Sequence, residues 1–504
     1  MFKYTESMVN ASMKSWKDIG HLSRQQTRDL QNKRLRTFIN QYIYPFSPFY
    51  RKLFDNTIDP RRIHTVEDLQ KLPFTSKNDF RNFKTGEDHV KEFVLQPDKD
   101  KIQIFWPMAK TWSLALKAKL NGESVKDLIS REFRPAFMTF TTGTTSEPIP
   151  FIYSGYDLNN LNCSGSRMFQ LFSIDPSERI VNLFPFAPHL AFWQVTMAGF
   201  ATSSLIFGTG GGKVMGTDGN IRIIAKIKPS VILGVPSYVY HVVRTAKEQG
   251  ADFSSIRKVI LGAAKVTVGF KMKLAEMLLE LGAKNVQIFG TYGFTEGRTA
   301  WGECPSALDA STGYHIYPDK DIVEIIDPQT GAVKGPGEDG ELVYTSIDSR
   351  GSAVIRFRTG DFIKGGIVDD PCPHCGLTVP RVSSDIVRLT DVANLQLSKI
   401  KGTLVDLNHF AEVLNDMPEV DDWQIEIRKK NNDPYDVDEI AAYICPKRGS
   451  DPNRLKEKIR QKILSATELT LNEVAFITLR DIVDRLELEK GNKDKRILDK
   501  RPKV

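Results

Sequence analysis

The 504-residue chain has only five cysteines, Cys163, Cys304, Cys372, Cys375 and Cys445. An odd, sparse set does not suit a disulfide framework and points to reduced thiols. Long apolar runs are missing too. Segments such as Leu190 to Trp193 stop far short of the ~20 residues that cross a membrane. No charge of one sign dominates: the formal net charge of +7 is modest for this length. Basic residues concentrate only in Lys490 to Lys503, with seven Lys/Arg against two Asp. That tail lacks the interleaved aromatics of a nucleic-acid stacking surface and reads as a solvated end or an anionic small-molecule site. The opening Met1 to Glu6 has no apolar core of an export signal. These absences argue against a secreted disulfide scaffold and a membrane-spanning protein. They set the expectation of a cytoplasmic protein with neither nucleic acid nor membrane among its partners.

What is present is ordinary for a globular protein: 41% hydrophobic and 26% charged residues. The length calls for two or more domains. Leu30, Leu35 and Phe38 are spaced for one face of a helix within residues 23–41. Helix starts follow at Thr65-Val66-Glu67-Asp68 and at Ser76. From Arg179 to Gly290, short apolar runs around residues 180–184, 204–207, 231–234, 259–262 and 286–290 alternate with helical patterns at 236–249 and 267–281. That alternation predicts a largely parallel sheet covered by helices, with ligands beyond the strands' carboxyl ends. Gly234, Gly262 and Gly290 are read as strand ends whose following loops are site candidates. Residues 321–326 and 341–345 read as two strands, and a smaller α/β unit follows Gly402.

Four stretches carry chemistry. Thr139 to Pro148 clusters threonines around Gly143; it suits phosphate oxygens, or is a Thr-rich surface loop. Tyr292-Gly293-Phe294-Thr295-Glu296 can stack a base, contact a phosphate and hold Mg²⁺, or is a plain loop. Arg356-Phe357-Arg358-Thr359-Gly360-Asp361 fixes a carboxylate beside a glycine turn, suited to ribose hydroxyls or to a surface ion pair. Cys372-Pro373-His374-Cys375 is a knuckle that Cys304 and His315 can complete as a Cys₃His zinc site. A redox pair would call for a helix directly after the motif, which Gly376 and Pro380 oppose.

Taken in order, these blocks resemble the adenylate-forming (acyl-CoA synthetase) superfamily, in its phenylacetate–CoA ligase branch. Residues 141–148 match the phosphate loop [ST]-[ST]-G-[ST]-T-G-x-P-K, with Ser146 at the second glycine and Ile149 at the lysine, which that branch also lacks. The run from Leu30–Arg36 through Pro48-Phe49-Tyr50-Arg51 to Leu72-Pro73-Phe74-Thr75-Ser76-Lys77 resembles the start of the branch, whereas residues 87–134 are diverged or inserted. The resemblance implies an α/β fold: a large N-terminal domain of layered sheets and helices (1–390) and a small, mobile α/β C-terminal domain (391–504). It implies that Thr141, Thr142, Gly143, Thr144 and Thr145 bind phosphates, and that Gly262 and Ala263 lie beside adenine. Tyr292 faces adenine next to Gly293 and Thr295, Glu296 binds Mg²⁺, and Asp361 holds the ribose. Arg381 and Arg388 match two arginines before the hinge, where Val387 replaces the usual glycine, and are expected to bind the nucleotide, while Lys493 reaches the reacting carboxylate. The relatives also show Cys and His where Cys304, His315, Cys372 and Cys375 stand, supporting structural zinc. The implied activity joins a carboxylic acid to CoA with ATP and Mg²⁺ through an acyl-adenylate. Aromatic acids come first, with Phe184, Phe186, Phe192 and Trp193 as pocket candidates. The residues leave open a homodimer, a carrier-protein arm in place of CoA, and a nucleotide-binding scaffold of reduced activity.

Overall fold

The computed structural model describes residues 2–80, 90–141, 148–186, 189–389, 398–400, 403–405, 407–430, 438–467, 469–488 and 495–501. The N-terminal part opens on helices. Phe2–Ile19 comes first, then Arg24–Phe38, which starts where Ser23 and Gln26 cap each other reciprocally. The diverged segment is a helical layer. Val90–Phe93, Lys99–Phe105, Met108–Asn121 and Val125–Phe133 place Phe93, Trp106 and Phe133 in the same core as Phe46, Tyr50 and Phe357.

Strands β1 (Pro135–Phe140) and β2 (Pro150–Ser154) form an antiparallel hairpin. Then β3 (Arg179–Asn182), β4 (Leu205–Gly208), β5 (Val231–Gly234), β6 (Lys258–Leu261) and β7 (Gln287–Phe294) run parallel. β5 and β6 are buried along their whole length, as a sheet covered on both faces requires. Helix Pro236–Glu248 starts with proline in its first turn, and Thr267 caps Val268–Glu280 by accepting from the Phe270 N–H. β7 continues past Gly290. Its first half pairs with β6 and its second half, Thr291–Phe294, pairs antiparallel with β8 (Thr299–Gly302). The Tyr292 stretch is therefore strand where a loop was expected, and Gly290 is internal to it.

β9 (Tyr314–His315) extends that sheet, and β10 (Asp321–Ile326), β11 (Gly340–Ser346) and β12 (Phe357–Lys364) build a second, antiparallel one. The short β13 (Ile367–Val368) and β14 (Arg381–Val382) return to β9, while β15 (Asp385–Arg388) pairs with β12. Among the described residues the C-terminal part holds a small hairpin, β16 (Ser398–Ile400) and β17 (Thr403–Val405), and a sheet of β18 (Val420–Lys429), β19 (Asp438–Pro446), β20 (Glu473–Phe476) and β21 (Ile497–Asp499). Its core of Phe410, Trp423, Ile425, Ile459 and Ile463 is separate from the N-terminal cores. The expected boundary at 390 falls outside the described residues. The two parts meet at Asp422, which accepts from Arg244 at 3.1 Å and from Arg496 at 2.7 Å, and at Asp421, which accepts from the Tyr240 hydroxyl.

Candidate active site

The second half of β7 points Tyr292 at β12. Its hydroxyl donates to Asp361 Oδ2 at 2.7 Å, and Arg388 on β15 stands 3.0 Å from Asp361 Oδ1. Burial raises the Asp361 pKa while Arg388 opposes the rise; burial and the Asp361 charge push the Tyr292 phenol well up. The Tyr292 phenol therefore keeps its proton and donates a hydrogen bond to the carboxylate. Arg388 also donates to the Thr359 carbonyl at 3.0 Å, which fixes its guanidinium over the carboxylate.

Beyond β7, the turn Thr295–Gly297 buries Glu296, which is 5% exposed. Lys77 Nζ lies 3.2 Å from Glu296 Oε1, an ion pair outside hydrogen-bond geometry. The Phe140 carbonyl accepts from Thr295 Oγ1 and meets His189 Nδ1 at 3.1 Å. Gly262 ends β6 where a Cβ would come within 2.5 Å of Thr291 Oγ1, and Ala263 follows in the left-handed region at φ 69°. Strained backbone of this kind is concentrated at functional sites.

These groups line two adjoining spaces. One is a cavity of about 160 Å³ whose lining includes Lys77, Thr141, Phe184, Gln194, Glu296 and Arg388, and which Gly262, Ala263, Gly293 and Thr295 also border. The other, about 460 Å³, lies between the N- and C-terminal parts and is bordered by Ala263, Tyr292, Asp361, Arg388, Trp423 and Arg496. A buried carboxylate with two fixed donors beside an acid–lysine pair, opening on an apolar recess, suits a ribonucleotide phosphoester with an organic acid. A family model described as "AMP-binding enzyme" matches residues 73–349. The chain belongs to that family.

Curated relatives of this AMP-binding chain include a phenylacetate-coenzyme A ligase of Thermus thermophilus, 25% identical over 81% of this chain and 80% of that protein. Another, from Escherichia coli, is 20% identical over 88% of this chain and 90% of that protein. Among solved structures, a 2-hydroxyisobutyryl-CoA ligase in the postadenylation state is 17% identical and covers 96% of this chain and 91% of that one, with a TM-score of 0.71. The same enzyme in its thioesterification state gives a TM-score of 0.60 over 95% of this chain and 91% of that one. These structures fix the fold as that of acyl-CoA ligases with a C-terminal domain.

Most of the expected site residues of this family member come together, with exceptions. Thr142, Gly143, Thr144, Thr145 and Lys493 lie outside the described residues. Thr141 is in place: its N–H donates to the Ile149 carbonyl and its Oγ1 accepts from the Ile149 N–H, both at 3.0 Å, so the loop's two ends are tied together. Arg381 is buried and donates to the Thr312 and Asp370 carbonyls, contacts that hold β14 to its neighbours. The aromatic expectation also narrows. Phe184 lines the smaller cavity, whereas Phe186, Phe192 and Trp193 pack on one another.

Cys304, His315, Cys372 and Cys375 converge, with ligand atoms all within 4.8 Å of one another. Cys304 Sγ is 3.6 Å from Cys372 Sγ, and Cys375 Sγ is 3.3 Å from His315 Nε2. Hydrogen bonding from Cys304, helped by His315, holds the Cys375 thiol down to about 3, and the thiols outweigh burial to raise His315 to about 9. Cys163 and Cys445 are buried, apart from this cluster.

Two site residues escaped sequence reasoning. Lys77 was read as the end of an N-terminal run; the missing lysine at Ile149 was a usable signal that another cation had to serve. Gln194 is a lone amide in an apolar stretch, with no signal of its own.

Proposed function

We propose that the chain is an ATP-dependent acid–CoA ligase that works through an acyl-adenylate. The observation that carries this reading is the meeting of Tyr292, Asp361 and Arg388 with Glu296 and Lys77 around one small recess. In the first step a carboxylate oxygen attacks the α-phosphorus of ATP and the bond to pyrophosphate breaks. In the second, the CoA thiolate attacks the acyl carbon and AMP leaves.

The first step brings an anion to an anion, so fixed positive charge must meet it. Lys77 supplies an ammonium where the phosphate loop has Ile149, and Lys493 supplies a second from the C-terminal domain. Each oxygen of Asp361 keeps lone-pair capacity beyond Tyr292 and Arg388, and accepts a ribose hydroxyl. Tyr292, Gly262 and Ala263 border the adenine, and Thr141 to Thr145 the phosphates. Glu296 fits a Mg²⁺ ligand, because it is a buried carboxylate on the wall of the recess and its Oε1, which faces Lys77 without a hydrogen bond, can turn to a cation once Lys77 meets phosphate. Bound there, Mg²⁺ neutralises phosphate charge.

The Cys304–His315–Cys372–Cys375 cluster fits structural zinc. Tetrahedral Zn–S bonds of ~2.3 Å and Zn–N bonds of ~2.0 Å put S···S at ~3.7 Å and S···N at ~3.6 Å, close to the 3.6 and 3.3 Å between these atoms. Reduced thiols support a cytoplasmic location, and no described helix is long and apolar enough to cross a membrane.

ATP–pyrophosphate exchange over a panel of carboxylic acids, followed by thioester formation with CoA, tests the reading. Exchange and thioester are both expected. Exchange without thioester would move the acceptor to a carrier-protein arm, and absence of exchange with every acid would leave a nucleotide-binding scaffold.

A further inference from the structure

Gln194 lies one turn into the helix Leu190–Thr202 and lines the cavity assigned above to the acid. It is 1% exposed, and neither its amide nitrogen nor its amide oxygen has a hydrogen-bond partner. The other polar side chains of the described lining are engaged. Lys77 faces Glu296, Arg388 faces Asp361, Thr141 accepts from Ile149, and Thr291 donates to the Leu261 carbonyl. His189 and Thr295 meet the Phe140 carbonyl. The same cavity is lined by Met168, Val195, Leu233 and Ile260, side chains without a hydrogen-bond donor.

A buried amide without partners destabilises the free protein, and leucine or methionine at this position would not. Such a group is accounted for when a ligand completes it. The amide offers one acceptor oxygen and one donor NH₂, and a hydroxyl can satisfy either. The cavity of about 160 Å³ is below the ~300–1,000 Å³ of drug-sized ligand pockets, a size that favours a small acid over a long acyl chain.

We propose that the substrate is a small hydroxylated carboxylic acid, an apolar skeleton bearing a hydroxyl besides its carboxylate, and that Gln194 is the residue that reads the hydroxyl. This deepens the acid–CoA ligase reading and rests on it. A site built to hydrogen-bond a substrate hydroxyl discriminates strongly against the analogue lacking it, because the protein's own group is then left unpaired.

The test compares acids sharing a skeleton: phenylacetate with 3- and 4-hydroxyphenylacetate, and isobutyrate with 2- and 3-hydroxyisobutyrate. Each is assayed by ATP–pyrophosphate exchange with wild type, Gln194→Leu and Gln194→Glu. Wild type should favour the hydroxylated member of at least one pair by on the order of 10⁴-fold in kcat/KM. Gln194→Leu should collapse or invert that ratio, and Gln194→Glu, which keeps an acceptor, should retain part of it. Without any acid, Gln194→Leu should melt at or above the wild-type temperature, because it removes an unpaired amide. Robust wild-type exchange with the unhydroxylated member of every pair, an unchanged ratio in Gln194→Leu, or a clearly lower melting temperature would overturn the proposal while leaving the ligase reading intact. Absence of wild-type exchange with all the acids would instead bring down the ligase reading and this proposal with it.

Discussion

Lys77 and Glu296 are far apart in sequence and 3.2 Å apart in space. A lysine held by a buried carboxylate at the mouth of an acid pocket is preorganised: the carboxylate fixes the ammonium before substrate arrives, so little reorganisation is left for the reaction. Removing one charge stabiliser from such a site costs ~3–4 kcal/mol in the transition state. Lys77→Met should therefore slow ATP–pyrophosphate exchange by on the order of 100-fold or more, with Lys77→Arg recovering part of the loss. Thioester formation from supplied acyl-AMP should fall much less, because pyrophosphate has already left. Equal loss in both half-reactions would make Lys77 a structural partner of Glu296 and nothing more.

At the scale of elements, the Cys/His cluster gathers three pieces of chain: the residues after β8, β9 itself, and the Cys372–Cys375 turn. The Cys372 N–H also donates to the Leu377 carbonyl, and the Thr378 N–H to the Gly20 carbonyl, which links the turn to the end of the first helix. Zinc there should cross-link those pieces. Protein purified without chelator should carry about one zinc per chain, and stripping it, or Cys372→Ser, should lower Tm by several degrees. Metal-free protein of unchanged Tm would exclude a structural role.

Such elements differ in how plainly sequence announces them. β3, β5 and β6 were legible because buried strands read as short β-branched runs between helical patterns, and the knuckle because C-x-x-C has few other uses. The helix Leu190–Thr202 was not, since it is apolar on nearly every face and so lacks the period that separates helix from strand. The strand character of Tyr292 was hidden for another reason. β7 changes partner from β6 to β8 at Thr291, a tertiary event without a local mark. Asp361 and Tyr292 were each named from motifs, but the hydrogen bond that joins them depends on how two sheets abut. The partners of Arg381 have the same origin: only the path of β14 beside β9 sets its guanidinium against the Thr312 and Asp370 carbonyls.

For the whole molecule, the contact between the two parts is a mixture of buried and exposed charge. Arg244 is 4% and Asp422 2% exposed, whereas the Lys447–Glu276 pair is 37% and 60% exposed. Breaking a buried pair by removing one partner is costly, on the order of 3–5 kcal/mol, because the other charge is left behind. Here Arg496 remains to hold Asp422, so the loss should be smaller and should fall on the docking of the parts instead of on either core. Arg244→Met is expected to widen the solution radius of gyration in small-angle scattering while leaving the melting of the N-terminal part in place. An unchanged scattering profile would show that the buried pair does not hold the parts together.

The sharing of Asp422 between Arg244 and Arg496 also decides what the surrounding ions can do. At physiological ionic strength counter-ions screen charges over ~8 Å, but only where they can approach through water. They reach Lys447 and Glu276 and cannot reach Arg244 and Asp422, so added salt should loosen the rim of the contact while its centre stays shut. Separating the two parts would then require acting on the centre directly, by withdrawing a strand end or presenting a competing charge, and their docked arrangement should be largely indifferent to the salinity around it.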